Sequence, residues 1–530
     1  MAATAEPGGA EKTLFVRKAS GLVKGWSSVD GYRYSFFSVN LSLGILGFSY
    51  AIYVPGGSLF LAIVITTVLM LLEVVVYAAL ISAMPRAGGD YVWQTRIFNS
   101  PIGFVLAVTG WWFIVWMWVP IWANVTFGGY IRPILETLGA TGTAEWLAGK
   151  NGVFVSSLVV IAVTTVLVAA GMRGYARFQV WALWAGLAAV AATFIILLVT
   201  SKSGFQAAYD REALDLFGVQ NAYAQTLQDG GAGVPTGLFS GTLWQTLRLV
   251  PFMCFWLLWP AWGATLYGEV RGASHFYTNI RAMAGGLLST AVLGLVFLLL
   301  IAKTMGYHFF MATQAAPVNG IYMSPMAMVT WVVDSAWFQI VVLLAMTMLV
   351  IAGWGTVFLS STRVIFASAF DRVLPEKVAA VTHGGVPWMA LLLMAVPSLV
   401  ISALYAYTSW FATLTLDGTL VIAVMFLGSG IAFMIMPWRA KGIWAQSPLP
   451  KVKVAGIPVL SVVAFFYALF LLFNLVLWLK DAVYGSNNTK SLIYMGALYL
   501  IALVIWIVAA ITRRREGMPL EAVAKEIPVE

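Results

Sequence analysis

At 530 residues, 61% apolar and 10% charged, with 30 Lys and Arg against 21 Asp and Glu for a net charge of +9, the chain lacks the polar surface that a water-soluble fold needs, since soluble domains carry roughly 25% charged residues. Its apolar residues fall instead into about twelve runs, each long enough for a hydrocarbon core of ~30 Å, and runs such as Leu59 to Ile81 show none of the alternation of a membrane β-barrel. A single cysteine, Cys254, leaves no intrachain disulfide and no thiolate metal cluster, so neither a cofactor nor a metal is expected.

Residues 1–34 carry Lys12, Arg17, Lys18, Lys24 and Arg33 but no apolar core closed by a small-residue cleavage site, and read as a cytoplasmic tail. Apolar length, bounded by Gly, Pro and charge, places spans at 35–54, 59–82, 102–131, 152–170, 178–200, 244–267, 282–303, 337–362, 387–406, 412–436, 456–479 and 491–511. The expected fold is an all-α polytopic membrane protein. Between the fifth and sixth spans, residues 201–243 are rich in Gly, Gln, Ala and Asp and read as an outer lid or an unstructured loop. Residues 512–530, headed by Arg513-Arg514-Arg515, form a second cytoplasmic tail. With the N-terminus inside, the cytoplasmic segments hold 22 of the 30 Lys and Arg and the outer side holds 8, which favours a multi-pass cell-membrane protein with both termini inside. Topology and anionic lipid then account for the positive charge, and nothing calls for nucleic acid. The sequence specifies no oligomeric state.

A spanning helix satisfies its backbone internally, so breaks at mid-membrane occur where protein or a water-filled cavity takes up the freed groups. The first span holds Asn40, Ser42, Gly44, Gly47 and Ser49 within ten residues, and the sixth reads Phe255-Trp256-Leu257-Leu258-Trp259-Pro260-Ala261-Trp262-Gly263, with Pro260 removing a donor. For any one Gly, close helix packing is the commoner explanation. Matched breaks five spans apart point further, to two five-span repeats of inverted topology, 35–200 and 244–436, each opening with a broken helix that holds substrate. Residues 437–511 add two spans.

Span three carries Trp111, Trp112, Trp116, Trp118 and Trp122. Trp118 and Trp122 read as an interfacial belt, and Trp112 and Trp116, one turn apart, as pocket candidates. Ionisable groups inside spans are functional candidates by default, and Glu73 and Asp417 meet that description as proton-coupling groups, although Asp417 can also face water at the outer end. His275, His308 and His383 read as loop groups. No phosphate-binding Gly loop is present.

At the inner end of span two the chain reads Ala83-Met84-Pro85-Arg86-Ala87-Gly88-Gly89-Asp90-Tyr91-Val92-Trp93, and after span eight Ser361-Thr362-Arg363 leads to Phe370-Asp371-Arg372-Val373-Leu374-Pro375. Pro85 ends a helix and Gly88-Gly89 suits a tight turn. Arg86, Asp90 and Arg96 in one half, and Arg363, Asp371 and Arg372 in the other, can form charge-assisted bonds beneath the bundle, an inner gate as the alternative to plain topology anchors. The two motifs, with Gly171 to Gln179 and Gly268-Glu269-Val270-Arg271, resemble the loop signatures of the amino acid-polyamine-organocation transporter superfamily over roughly residues 35–436.

The resemblance implies the five-plus-five inverted-repeat fold, a secondary transporter and not an enzyme, and a small amino acid or related amine as substrate, with a proton as candidate partner. It implies that Ser42, Leu43, Gly44 and Ile45 stand where the family binds the substrate carboxylate. It places Phe255, Trp256, Trp259, Pro260 and Gly263 of span six across the pocket, Trp259 where the family has a small Gly. The Lys of proton-coupled relatives would fall near Gly186, and the paired hydroxyls of sodium-coupled ones at Ala352-Gly353, so exchange or proton coupling through Glu73 is expected. The alternatives are a carrier of another organic cation or a nucleobase, or, in other classes, a membrane-embedded enzyme or a channel.

Overall fold

The computed structural model describes residues 22, 24–320, 324–382 and 385–523; most of the N-terminal tail, His383 and residues 524–530 lie outside these. Twelve helices among the described residues are long and apolar enough to cross a bilayer: Ser28–Tyr53, Leu59–Ala83, Ser100–Thr137, Lys150–Ala169, Gly171–Val199, Leu243–Glu269, Phe276–Ala315, Ala336–Phe370, Trp388–Tyr407, Leu416–Arg439, Val459–Lys480 and Thr489–Arg515. They are numbered here as spans 1 to 12. The only β-strands among the described residues are a two-residue pair, Lys453–Val454 with Ile457–Pro458.

Several spans run past their apolar stretch because polar groups stabilise the extra turns inside the protein. Span 1 starts at Ser28 through a reciprocal cap in which Ser27 accepts from the Asp30 N–H and Asp30 accepts from the Ser27 N–H. Span 8 continues to Phe370 with Arg363 and Ser368 fully buried, where hydropathy carries no signal. In span 7 a π-helical turn, Ala302–Gly306, leads into a last helix, Tyr307–Ala315.

Burial separates a middle from a rim. Of the apolar stretch of span 6, 94% is buried, against 17% for span 12. Spans 1, 3, 8 and 10 join span 6 in the middle, and spans 11 and 12 turn long apolar faces outward, as lipid-facing helices do. Residues 201–243 fold into two helices, Lys202–Phe217 and Ala222–Gly230. They dock on the end of span 7, where Tyr223 stacks on Phe309 at 3.9 Å and the His308 ring meets the Gly231 carbonyl at 2.9 Å. Lys303 Nζ caps span 5 by donating to the carbonyls of Leu197, Leu198 and Thr200.

Candidate functional site

Span 1 breaks at Asn40, whose φ of 52° and ψ of 107° separate the helix Ser28–Val39 from Leu41–Gly47. Asn is among the few residues that tolerate positive φ, and its side chain is put to use there. The Asn40 Oδ1 accepts from the Ser42 N–H at 3.0 Å. Asn40 Nδ2 is buried with no partner among the described residues, and the buried Ser42 hydroxyl lies beside that of Tyr130. Span 6 breaks after Leu257, where Trp259, Pro260 and Ala261 leave the helix before a tighter turn, Trp262–Glu269. The freed groups are taken up by neighbours. Trp262 Nε1 and the Tyr34 hydroxyl both donate to the Thr356 carbonyl of span 8, and Ser360 donates to the Trp262 carbonyl. Glu73 of span 2, fully buried, accepts from the Ala261 N–H at 3.4 Å. The Tyr467 hydroxyl lies beside its carboxyl group.

The two broken spans cross at Gly44. A Cβ there would lie 2.1 Å from the Trp256 ring, and one on Gly294 of span 7 would lie 2.4 Å from the same ring, so Trp256 is clasped between two glycines. One turn beyond, at Gly47, a Cβ would meet nothing within 4 Å. This is the wall of a cavity of about 420 Å³ lined by Leu43, Leu46, Gly47, Ser49 and Tyr50 of span 1, by Ile121 to Arg132 of span 3, and by Phe255, Leu147, Ala148 and Tyr405. Its floor is Leu43, Ile121 and Phe255. It opens toward the face opposite the N-terminus.

The N-terminal face is closed. Arg96 forms a two-pronged pair with Asp371 (2.5 and 3.0 Å), and Arg363 forms one with Glu269 (2.7 and 3.0 Å). All four side chains are at most 4% exposed. Asp90 accepts from Tyr77, Trp111 and Ser429 at 2.6, 2.9 and 2.5 Å. Burial pushes its carboxyl above the usual range, and those donors pull it part of the way back. Beneath them Trp26 pairs with Val270 as an isolated bridge and donates its indole N–H to the Met172 carbonyl at 2.7 Å.

Residues 31–506 match the family of amino acid permeases. The chain belongs to that family. It is also similar to the branched-chain amino acid permease BcaP of Lactococcus lactis subsp. cremoris (strain MG1363), 22% identical over 450 residues that cover 83% of this chain and 84% of that protein. The permease is thus a membrane-embedded amino acid transporter, and not an enzyme.

Within the permease the sequence candidates divide. Leu43 and Phe255 face the cavity, while Ser42 and Pro260 lie at the breaks. Gly44, Ile45 and Trp256 are packed core. Trp259 stands edge-on to Trp118 at 4.7 Å, and Gly263 abuts Tyr34 on the closed side. Trp112 and Trp116 donate to the Leu393 carbonyl, tying span 3 to span 9 away from the cavity. Trp118 and Trp122, read from sequence as an interfacial belt, are instead 6% and 3% exposed: two π-helical segments, Thr109–Phe113 and Asn124–Ile131, re-aim span 3 and turn its indoles inward. Asp417 is 1% exposed beside Ser486 and Ser491, so it does not face water.

Arg96 pairs across the two halves with Asp371, whereas Arg363 pairs within the second half with Glu269, a residue outside the expected gate set. Arg372 pairs with Glu376, and Arg86 donates to the Pro85 carbonyl at 3.1 Å. Asn124 and Arg132, missed in the sequence, lie two turns apart on the face of span 3 that lines the cavity; polar residues recurring at that spacing in an apolar span were the available signal.

Proposed function

We propose that the permease carries amino acids with apolar side chains across the cell membrane by alternating access, with both termini cytoplasmic and the substrate held at the cavity floor. The observation that carries this reading is that one cavity ends where both broken helices cross, while buried ion pairs close the opposite face. Backbone N–H groups freed at the span 1 break and the positive end of the following half-helix receive the carboxylate. Leu43, Leu46, Ile121, Val125 and Phe255 receive the side chain, consistent with the name of the Lactococcus relative. Inward opening exchanges the Arg96–Asp371 and Arg363–Glu269 pairs for water.

In this reading a proton drives uptake through Glu73. An unpaired charge is costly at that depth, and Glu73 touches the span 6 break itself, so its protonation and the shape of the break are linked. Proteoliposomes test both parts. Leucine, isoleucine and valine are expected to show saturable, counterflow-stimulated uptake that arginine, putrescine and uracil compete for poorly; linear uptake indifferent to internal substrate would contradict the carrier. Glu73→Gln is expected to keep counterflow and lose the response to an imposed pH gradient. Concentrative, pH-driven uptake by that variant would rule out Glu73 as the coupling group.

A further inference from the structure

The outer half of the cavity is built differently from its floor. Ile121 at the floor and Arg132 at the rim are eleven residues apart, at most about 16 Å along the helix axis, since Asn124–Ile131 between them is wound as a wider π-helix. Two substrate positions therefore fit along one wall. Arg132 is the cationic side chain that lines the cavity. Its Nε donates to Glu136 Oε1 at 2.9 Å, and the Glu136 side chain is only 4% exposed, so the fork is held from behind by a fixed carboxylate. Its two terminal nitrogens make no hydrogen bond to the described residues, which leaves a planar pair of donors, the geometry that matches a carboxylate two-pronged. One turn below, Gly128 leaves the wall open: a Cβ there would meet only the Asn124 Oδ1, at 3.2 Å. Asn124 thus presents an acceptor beneath the guanidinium, suited to an ammonium, and Leu147, Ala148, Leu46 and Val125 supply apolar wall around it.

We propose that Arg132, Gly128 and Asn124 form a second, outer amino acid subsite, in which Arg132 takes the carboxylate of an incoming zwitterion before it descends to the floor. A guanidinium at a cavity mouth with apolar walls attracts arriving carboxylates, and an apolar side chain finds contact there as soon as the carboxylate is bound. The inference rests on the proposed reading that the floor is the main site, and the test separates the two.

Equilibrium binding of radiolabelled leucine to the purified full-length permease is measured for stoichiometry, with monodispersity and melting temperature checked for each variant. Arg132→Gln removes the fork, Gly128→Leu fills the space before it while keeping the charge, and Gly47→Leu projects from the wall over the floor, where a Cβ meets no atom within 4 Å. The expected result is two leucines per chain in the wild type, one in Arg132→Gln and in Gly128→Leu, and one in Gly47→Leu that remains sensitive to Arg132→Gln. One leucine per chain in the wild type, unchanged by Arg132→Gln and abolished by Gly47→Leu, would overturn the outer subsite and leave the floor intact. One leucine abolished by Arg132→Gln and unaffected by Gly47→Leu would overturn the two-site scheme and move the main site to the rim.

Discussion

The two ends of the permease are cut largely from the same helices and finished in opposite ways. Toward the N-terminal face, spans 6 and 8 and the helix Asp90–Ile97 are joined by forked guanidinium–carboxylate pairs with almost no exposure. Toward the other face, spans 1, 3 and 6 diverge around about 420 Å³ of largely apolar wall. In the proposed alternating-access reading, the difference lets a bundle close firmly and still open. Forked pairs are directional, so they hold one geometry and exclude neighbouring ones, yet both partners are well hydrated once separated. Apolar contact is non-directional and suits a wall that must accept a ligand. Closing with charge and lining with hydrocarbon divides the two tasks between the two ends.

The most severe test of the closed end is Arg363→Ala. It strands the Glu269 carboxylate in a dry site, a change that costs about 3–5 kcal/mol, and a marked fall in melting temperature in detergent is expected, recovered in part by adding Glu269→Gln. A melting temperature like that of the wild type would show that the pair is not a closed latch. Where the two ends meet, Gly44→Ala sets a Cβ 2.1 Å from the Trp256 ring; overpacking of this kind costs about 1–3 kcal/mol, and uptake is expected to fall with stability. Gly47→Ala, facing open space, is the control, and an equal loss in both would erase the distinction between clasp and wall. The smallest effect belongs to the open end, where Arg248 and Asp481 pair with side chains 23% and 26% exposed. Arg248→Ala is expected to shift stability by no more than ~1 kcal/mol, and a loss as large as that of Arg363→Ala would mean that both ends are latched alike.

The twelve spans were legible because hydropathy over twenty residues is a strong signal, and Pro260 announced the span 6 break. The span 1 break was legible only as a region. Its position at Asn40 depends on one backbone angle, which the small polar run from Asn40 to Ser49 does not single out. The ion pairs were legible as residues and not as pairs. Arg96 and Asp371 are 275 positions apart, and nothing local distinguishes pairing across halves from pairing within one. Trp118 and Trp122 look identical in sequence to belt residues, because their direction is set by π-helical turns that composition does not record. Residues 201–243 read from their Gly, Gln, Ala and Asp content as a lid or an unstructured loop, and composition alone did not show the two helices that dock on span 7.

The central claim, that substrate lies at the cavity floor where the broken spans cross, is tested most directly by leucine counterflow in proteoliposomes bearing Gly47→Leu. Since a side chain at Gly47 meets no neighbour within 4 Å of its Cβ, the melting temperature should stay near that of the wild type while saturable counterflow disappears. A folded Gly47→Leu permease with unchanged half-saturation would place the substrate elsewhere.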